Sequence, residues 1–173
     1  KTVKIFLASS NELEAERQAF ADFIARKSDN WEREKGIALK LKIWERASDA
    51  LSPTRLQDEY NKLIRDSEIF VLLAHTKVGK YTEEEFDIAL DEFGKTSKRS
   101  KILLYFKKLT AGTATEESLG KFQARLRKLE HFPAYFDDSD SLENQFSDEL
   151  DMIAADWRAP LQKLDLGNKT FIL

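Results

Sequence analysis

Three consecutive carboxylates, Glu83, Glu84 and Glu85, are the residues of this 173-residue chain best placed to do chemistry. They follow a short run rich in β-branched and aromatic side chains, 68–74 (EIFVLLA), and a polar turn, 75–81, that holds one glycine. The run reads as a strand buried on both faces. The segment 82–93 then places Phe86, Ala89, Leu90 and Phe93 at helical spacing. A buried strand passing through a loop into a helix is half of a βαβ unit, and open α/β sheets bind ligands outside the carboxyl ends of their strands. The glutamates therefore fall at a helix start beside an expected ligand crevice. A glutamate there can stabilise an oxocarbenium-like transition state, or attack it as a nucleophile, when a glycosidic bond breaks. The bond between a ribose and its base is of this kind. The helix N-terminus is expected to lower a nearby glutamate's pKa and keep it ionised, which suits a nucleophile or an electrostatic stabiliser. The same position has a plain account too, since acidic residues in a first helical turn complement the macrodipole. Glu85 stands apart because it directly precedes Phe86, at the edge of the buried stripe.

Other chemistries find little support. The chain has no cysteine, which excludes disulfides and thiolate catalysis. Its two histidines, His75 and His131, have no metal-ligand spacing, and no metal is expected. Neither GxGxxG after the first strand, nor a phosphate-binding P-loop, nor GxSxG is present. A formal net charge of −3 exerts no global pull toward nucleic acid. No apolar run reaches membrane-spanning length and no signal peptide is visible, so a cytoplasmic protein without membrane partners is expected. The chain begins at Lys1 rather than Met, which reads as a piece of a longer protein whose remainder regulates it.

The elements that must position the glutamates alternate along the chain. Strands are expected at 3–8 (VKIFLA), 39–44 (LKLKIW), 68–74, 101–106 (KILLYF) and, at a sheet edge, 133–136 (PAYF). Helices are expected at 12–31, 53–66, 82–93, 116–129 and 141–157. Asn11 and Glu14 have the form of a capping box for the first, and Pro160 is expected to end the last. The basic loop 95–101, with Lys107 and Lys108, reads as a solvated face or, less simply, as a phosphate contact. The stretch 125–128 reads as solvated or as an assembly surface. Five β-α repeats imply a parallel sheet covered on both faces. The expected fold class is α/β, a flavodoxin-like three-layer sandwich with strand order 2-1-3-4-5. In that order 8–11 and 74–81 face each other across one crevice, with Glu83–Glu85 on its rim. Residues 1–160 form the domain, and 161–173 read as a tail or a linker to a missing domain.

Four blocks, in order and spacing, resemble the Toll/interleukin-1 receptor (TIR) domain in its divergent bacterial defence branch. They are VKIFLASS at 3–10, KIWER at 42–46, LIRDSEIFVLLAH at 63–75 and YTEEEFDIAL at 81–90. The family has an aromatic residue four positions before its catalytic glutamate and an apolar residue after it, and Tyr81, Glu85 and Phe86 fit that spacing. The resemblance implies cleavage of the nicotinamide–ribose bond of NAD+ as substrate, with no separate cofactor, by an effector activated on oligomerisation in bacterial immunity. It implies Glu85 as the catalytic residue. Ser9 and Ser10 then lie beside the substrate, Trp44 and Glu45 enter the pocket-shaping BB loop, His75 takes the substrate-side position where the family often has Ser after the central strand, and Tyr81 packs on the nicotinamide or ribose. It also implies self-association and an attached sensor or ATPase domain. The chain departs from the pattern where Tyr81 replaces Trp and where 50–53 (ALSP) lacks the usual BB-loop glycine. Taken alone, Ser9 and Ser10 serve equally as helix caps, Trp44 as packing and His75 as a hydrogen-bonded loop residue. Two other readings remain: a non-enzymatic scaffold signalling by homotypic association, and a nucleoside deoxyribosyltransferase-like nucleotide hydrolase.

Overall fold

The structure, a computed structural model, describes the backbone of residues 1–43, 53–95 and 100–169, and their side chains except at 53–57, 60 and 157–169. Trp44 and Glu45 lie outside the described residues.

The central strands are apolar on both sides and are buried on both sides. Strand β1 (Thr2–Ser9) and strand β3 (Ile69–Ala74) lie side by side, with β2 (Ala38–Ile43) beyond β1 and β4 (Lys101–Lys107) and β5 (Ala134–Phe136) beyond β3. All pairs are parallel, in the order 2-1-3-4-5. Successive side chains alternate between faces. Ile5, Leu7, Ile69, Val71 and Leu73 therefore join one core, against α1 (Glu14–Lys35) and α5 (Ser139–Lys169). Phe6, Ala8, Phe70, Leu72 and Ala74 join a second core, against α2 (Pro53–Arg65), α3 (Lys80–Lys95) and α4 (Glu117–Lys128). Phe6 and Phe70 are register partners whose rings stack 5.8 Å apart. Each fully buried side chain of this size contributes about 1.5–3 kcal/mol, so the β1–β3 pair is the stiff centre from which the site is built.

Several local expectations are corrected. No capping box forms at Asn11 and Glu14. The chain first makes a 3-10 turn at Asn11–Leu13, Ser10 takes the N-cap position, and no side-chain cap bond is made there. Helix α1 runs on to Gly36, whose φ of 64° closes it in the left-handed region that glycine adopts at little cost. Helix α5 continues past Pro160 to Lys169. A single proline removes one N–H and strains one turn, and here that penalty does not stop the helix. Helix α3 starts at Lys80, two residues before the expected Thr82, which moves Glu85 into the second turn.

Candidate active site

The carboxyl ends of β1 and β3 open into a cleft of about 780 Å³, within the range of small-molecule sites. One wall carries Ser9, Ser10, Asn11 and, from the first turn of α1, Glu14 and Arg17. The other carries Lys77 and Gly79 from the β3–α3 loop, then Tyr81, Thr82 and Glu85 from α3. Backbone pairing sets the two walls face to face: Ser9 is the register partner of Leu73, and the Ser10 amide donates to the Leu73 carbonyl at 3.3 Å.

The three glutamates divide by what they touch. Glu83 accepts from Arg125 at 3.3 Å, and the same guanidinium bonds Asp87. Arg125, expected on a solvated face or an assembly surface, ties α4 to α3, because α4 packs beside α3 in the second core. Glu84 pairs with Lys80 at 3.8 Å. Glu85 lines the cleft and is half-buried. Phe86, fully buried and edge-on to Phe122 with centroids 5.2 Å apart, anchors the turn that presents it.

Glu85 does not have the lowered pKa expected of a helix start. Burial, with the charge of neighbouring Glu84, pushes its carboxyl up to about 8. The dipole's influence fades within the first turn, and Glu85 lies beyond it. A carboxyl raised to about 8 holds its proton for the most part at pH 7.

A second carboxylate, Glu12, is not among the residues lining the cleft but ties together the two loops that form its walls. It accepts from the Thr76 amide at 3.0 Å, the Lys77 amide at 3.3 Å and the Ser10 hydroxyl at 3.0 Å, and it is also bonded by the Thr76 hydroxyl. Burial works to raise its pKa, but these hydrogen bonds outweigh it and hold the carboxyl below its ordinary value. His75 is not among the residues lining the cleft. Its Nδ1 lies 4.0 Å from Glu12, on the loop that Glu12 clamps. Nearby, Lys107 bonds the buried Glu16 and joins β4 to α1.

Four of the residues singled out from sequence thus meet in one cleft: Ser9, Ser10, Tyr81 and Glu85. Tyr81 is 58% exposed at its mouth. Glu12 and Arg17 were missed. Arg17 had a signal: it sits between Leu13 and Phe20, at a position of the stripe that faces the sheet.

A scan against protein-family models finds no match, and a search of curated proteins finds none. Solved structures do match. One is the Clostridium botulinum CMP N-glycosidase BcmB, at a TM-score of 0.50 and 15% identity, covering 83% of this chain and 98% of that one. Another is the TIR domains of the activated Roq1 resistosome that recognises the pathogen effector XopQ, at a TM-score of 0.50 and 17% identity, covering 86% and 99%. The fold is TIR-like. At these identities the likeness concerns the fold alone. Within the TIR-like fold, the cleft at the ends of β1 and β3 lies at the switch point where open α/β sheets place ligands. Among the described residues no helix is long and apolar enough to cross a membrane.

Proposed function

We propose that this domain hydrolyses the N-glycosidic bond of a ribosyl nucleotide, with NAD+ as the leading substrate and Glu85 as the catalytic residue. The observation that carries the reading is Glu85 itself. Of three adjacent glutamates, it is the one that lines the cleft, and it has no cationic partner among the described residues.

The chemistry follows from its charge state. A pyridinium cation arriving beside a carboxyl with a pKa near 8 favours the carboxylate, and the proton passes to solvent. As the C1′–N bond breaks, its electron pair passes to the ring nitrogen and neutral nicotinamide leaves. The Glu85 carboxylate stabilises the ribosyl oxocarbenium ion. Water then adds at C1′ and gives a proton to Glu85, leaving ADP-ribose. Self-association belongs to this reading. Ile43, at the end of β2, lines the cleft, so a neighbouring copy seated against that strand end would reshape the site. The Roq1 TIR domains belong to a resistosome.

A second reading is favoured by the raised pKa. A pyrimidine base is a poor leaving group unless protonated, and a neutral Glu85 can supply that proton as a general acid. This suits a nucleotide N-glycosidase, the activity named for BcmB toward CMP. Incubating the concentrated protein with NAD+ and, separately, with CMP, beside Glu85→Gln, tests both. Base release by the parent and not by the variant supports the hydrolase and names its substrate. Release by neither protein, with assembly verified by light scattering, favours a non-enzymatic scaffold.

A further inference from the structure

We propose that Arg17 is the phosphate-binding residue of the cleft, and that the site therefore selects 5′-phosphorylated ribosyl compounds over the corresponding nucleosides. The inference rests on the hydrolase reading only for which end of the ligand lies at Glu85.

Among the described residues three cations line the cleft: Arg17, Lys77 and Lys80. Lys77 is paired with Glu116 at 3.8 Å and Lys80 with Glu84 at 3.8 Å. Arg17 has no carboxylate partner among the described residues. Its contact is a neutral one, Nη1 donating to the Ser9 hydroxyl at 3.4 Å. Among the described residues, the other cations considered from sequence as phosphate contacts meet carboxylates. Lys95 bonds Asp91, Lys101 approaches Asp156 at 3.9 Å, Lys107 bonds Glu16, and Lys108 bonds Asp137 at 2.7 Å.

A half-buried guanidinium with unused donors, set in a concave site, is suited to an anion. Its planar fork matches two oxygens of a phosphate, which a lysine does not. The Ser9 hydroxyl beside it, on the same wall of the cleft, offers a further donor. Arg17 and Ser9 hold the wall across from α3, which carries Glu85. A ribose bridging the two walls would present its base to Glu85 and its 5′-phosphate to Arg17. This holds whether the remainder is the pyrophosphate of a dinucleotide or a lone monophosphate, so the shared chemistry is the 5′-phosphate.

Titration of the full chain with ADP-ribose tests the site without requiring turnover. Turnover of nicotinamide mononucleotide against nicotinamide riboside, and of CMP against cytidine, then distinguishes the bases. Binding of ADP-ribose by the parent, weakened roughly 10- to 100-fold in Arg17→Gln and partly recovered in Arg17→Lys, supports the inference. A phosphate preference in kcat/KM that disappears in Arg17→Gln supports it further. Unchanged thermal unfolding of both variants ties the loss to the contact. Equal binding by parent and Arg17→Gln, or no binding by the parent, overturns it. If Arg17-dependent binding occurs without turnover of any substrate, the phosphate site stands and the hydrolase reading falls.

Discussion

The Glu12 carboxylate accepts the Thr76 amide at 3.0 Å, joining the loop after β1 to the loop after β3 across 64 residues of sequence. With Ser10 and Lys77 on the same carboxylate, this contact fixes both walls of the cleft relative to each other. Glu12→Ala is expected to lower stability by about 1–3 kcal/mol, the cost of losing a charge-assisted hydrogen-bond hub. It should raise KM for a cleft ligand more than it lowers kcat. Denaturant melts and steady-state kinetics measure the two effects, and a kcat loss at unchanged KM would place Glu12 in the chemistry instead. Because Glu12 is held below its ordinary pKa, its contribution is complete above the unfolded value of 4.5 and fades as pH falls through the folded one.

Glu85 works in the opposite sense. A carboxyl that holds its proton in the folded state up to about 8, and gives it up near 4.5 when unfolded, favours unfolding as pH rises between those values. Glu85→Gln keeps the shape and removes the titration. At pH 9 the variant should be more stable than the parent by roughly 1–3 kcal/mol, and at pH 4 the two should be nearly equal. Parallel urea titrations at the two pH values read this directly. The same difference at both would mean that Glu85 does not titrate with folding.

The charge state of Glu85 also separates the two substrates. For NAD+ the carboxylate is the working form, so kcat/KM should climb with pH toward about 8. For CMP the acid is the working form, and kcat/KM should fall above that pH. Binding of the cationic substrate should release a proton, seen as a buffer-dependent heat in calorimetry. Flat profiles for both substrates would remove Glu85 from proton transfer.

Phe86 carries Glu85 on its own backbone. It is fully buried against Phe122, and truncation to alanine should cost about 3–5 kcal/mol through lost transfer energy and the cavity left behind. Phe86→Leu should retain most of the stability yet lose activity, as the turn bearing Glu85 resettles. Thermal melts paired with base-release assays check this. Full activity in Phe86→Leu would show that the site tolerates movement of α3.

The sequence by itself determined the architecture. Short strands such as 69–74, apolar on both faces, can be buried only inside a covered parallel sheet, and their alternation with helices leaves few topologies. It also located Glu85, because an acidic residue beside the buried Phe86 stands where the helix meets the core. These signals are local, written at spacings of about 2 and 3.6 residues. Only the tertiary structure decided the charge of Glu85, the pairing of Glu83 and Glu84, and the placing of His75 beside Glu12 rather than in the cleft. It also left Arg17 without a carboxylate partner among the described residues, while Lys107, 91 residues from its partner, took Glu16. Burial and ion pairing are set by whatever packs alongside, however distant in the chain. A residue's neighbours in sequence therefore say where it stands, and its neighbours in space say whether it is charged and what it can bind.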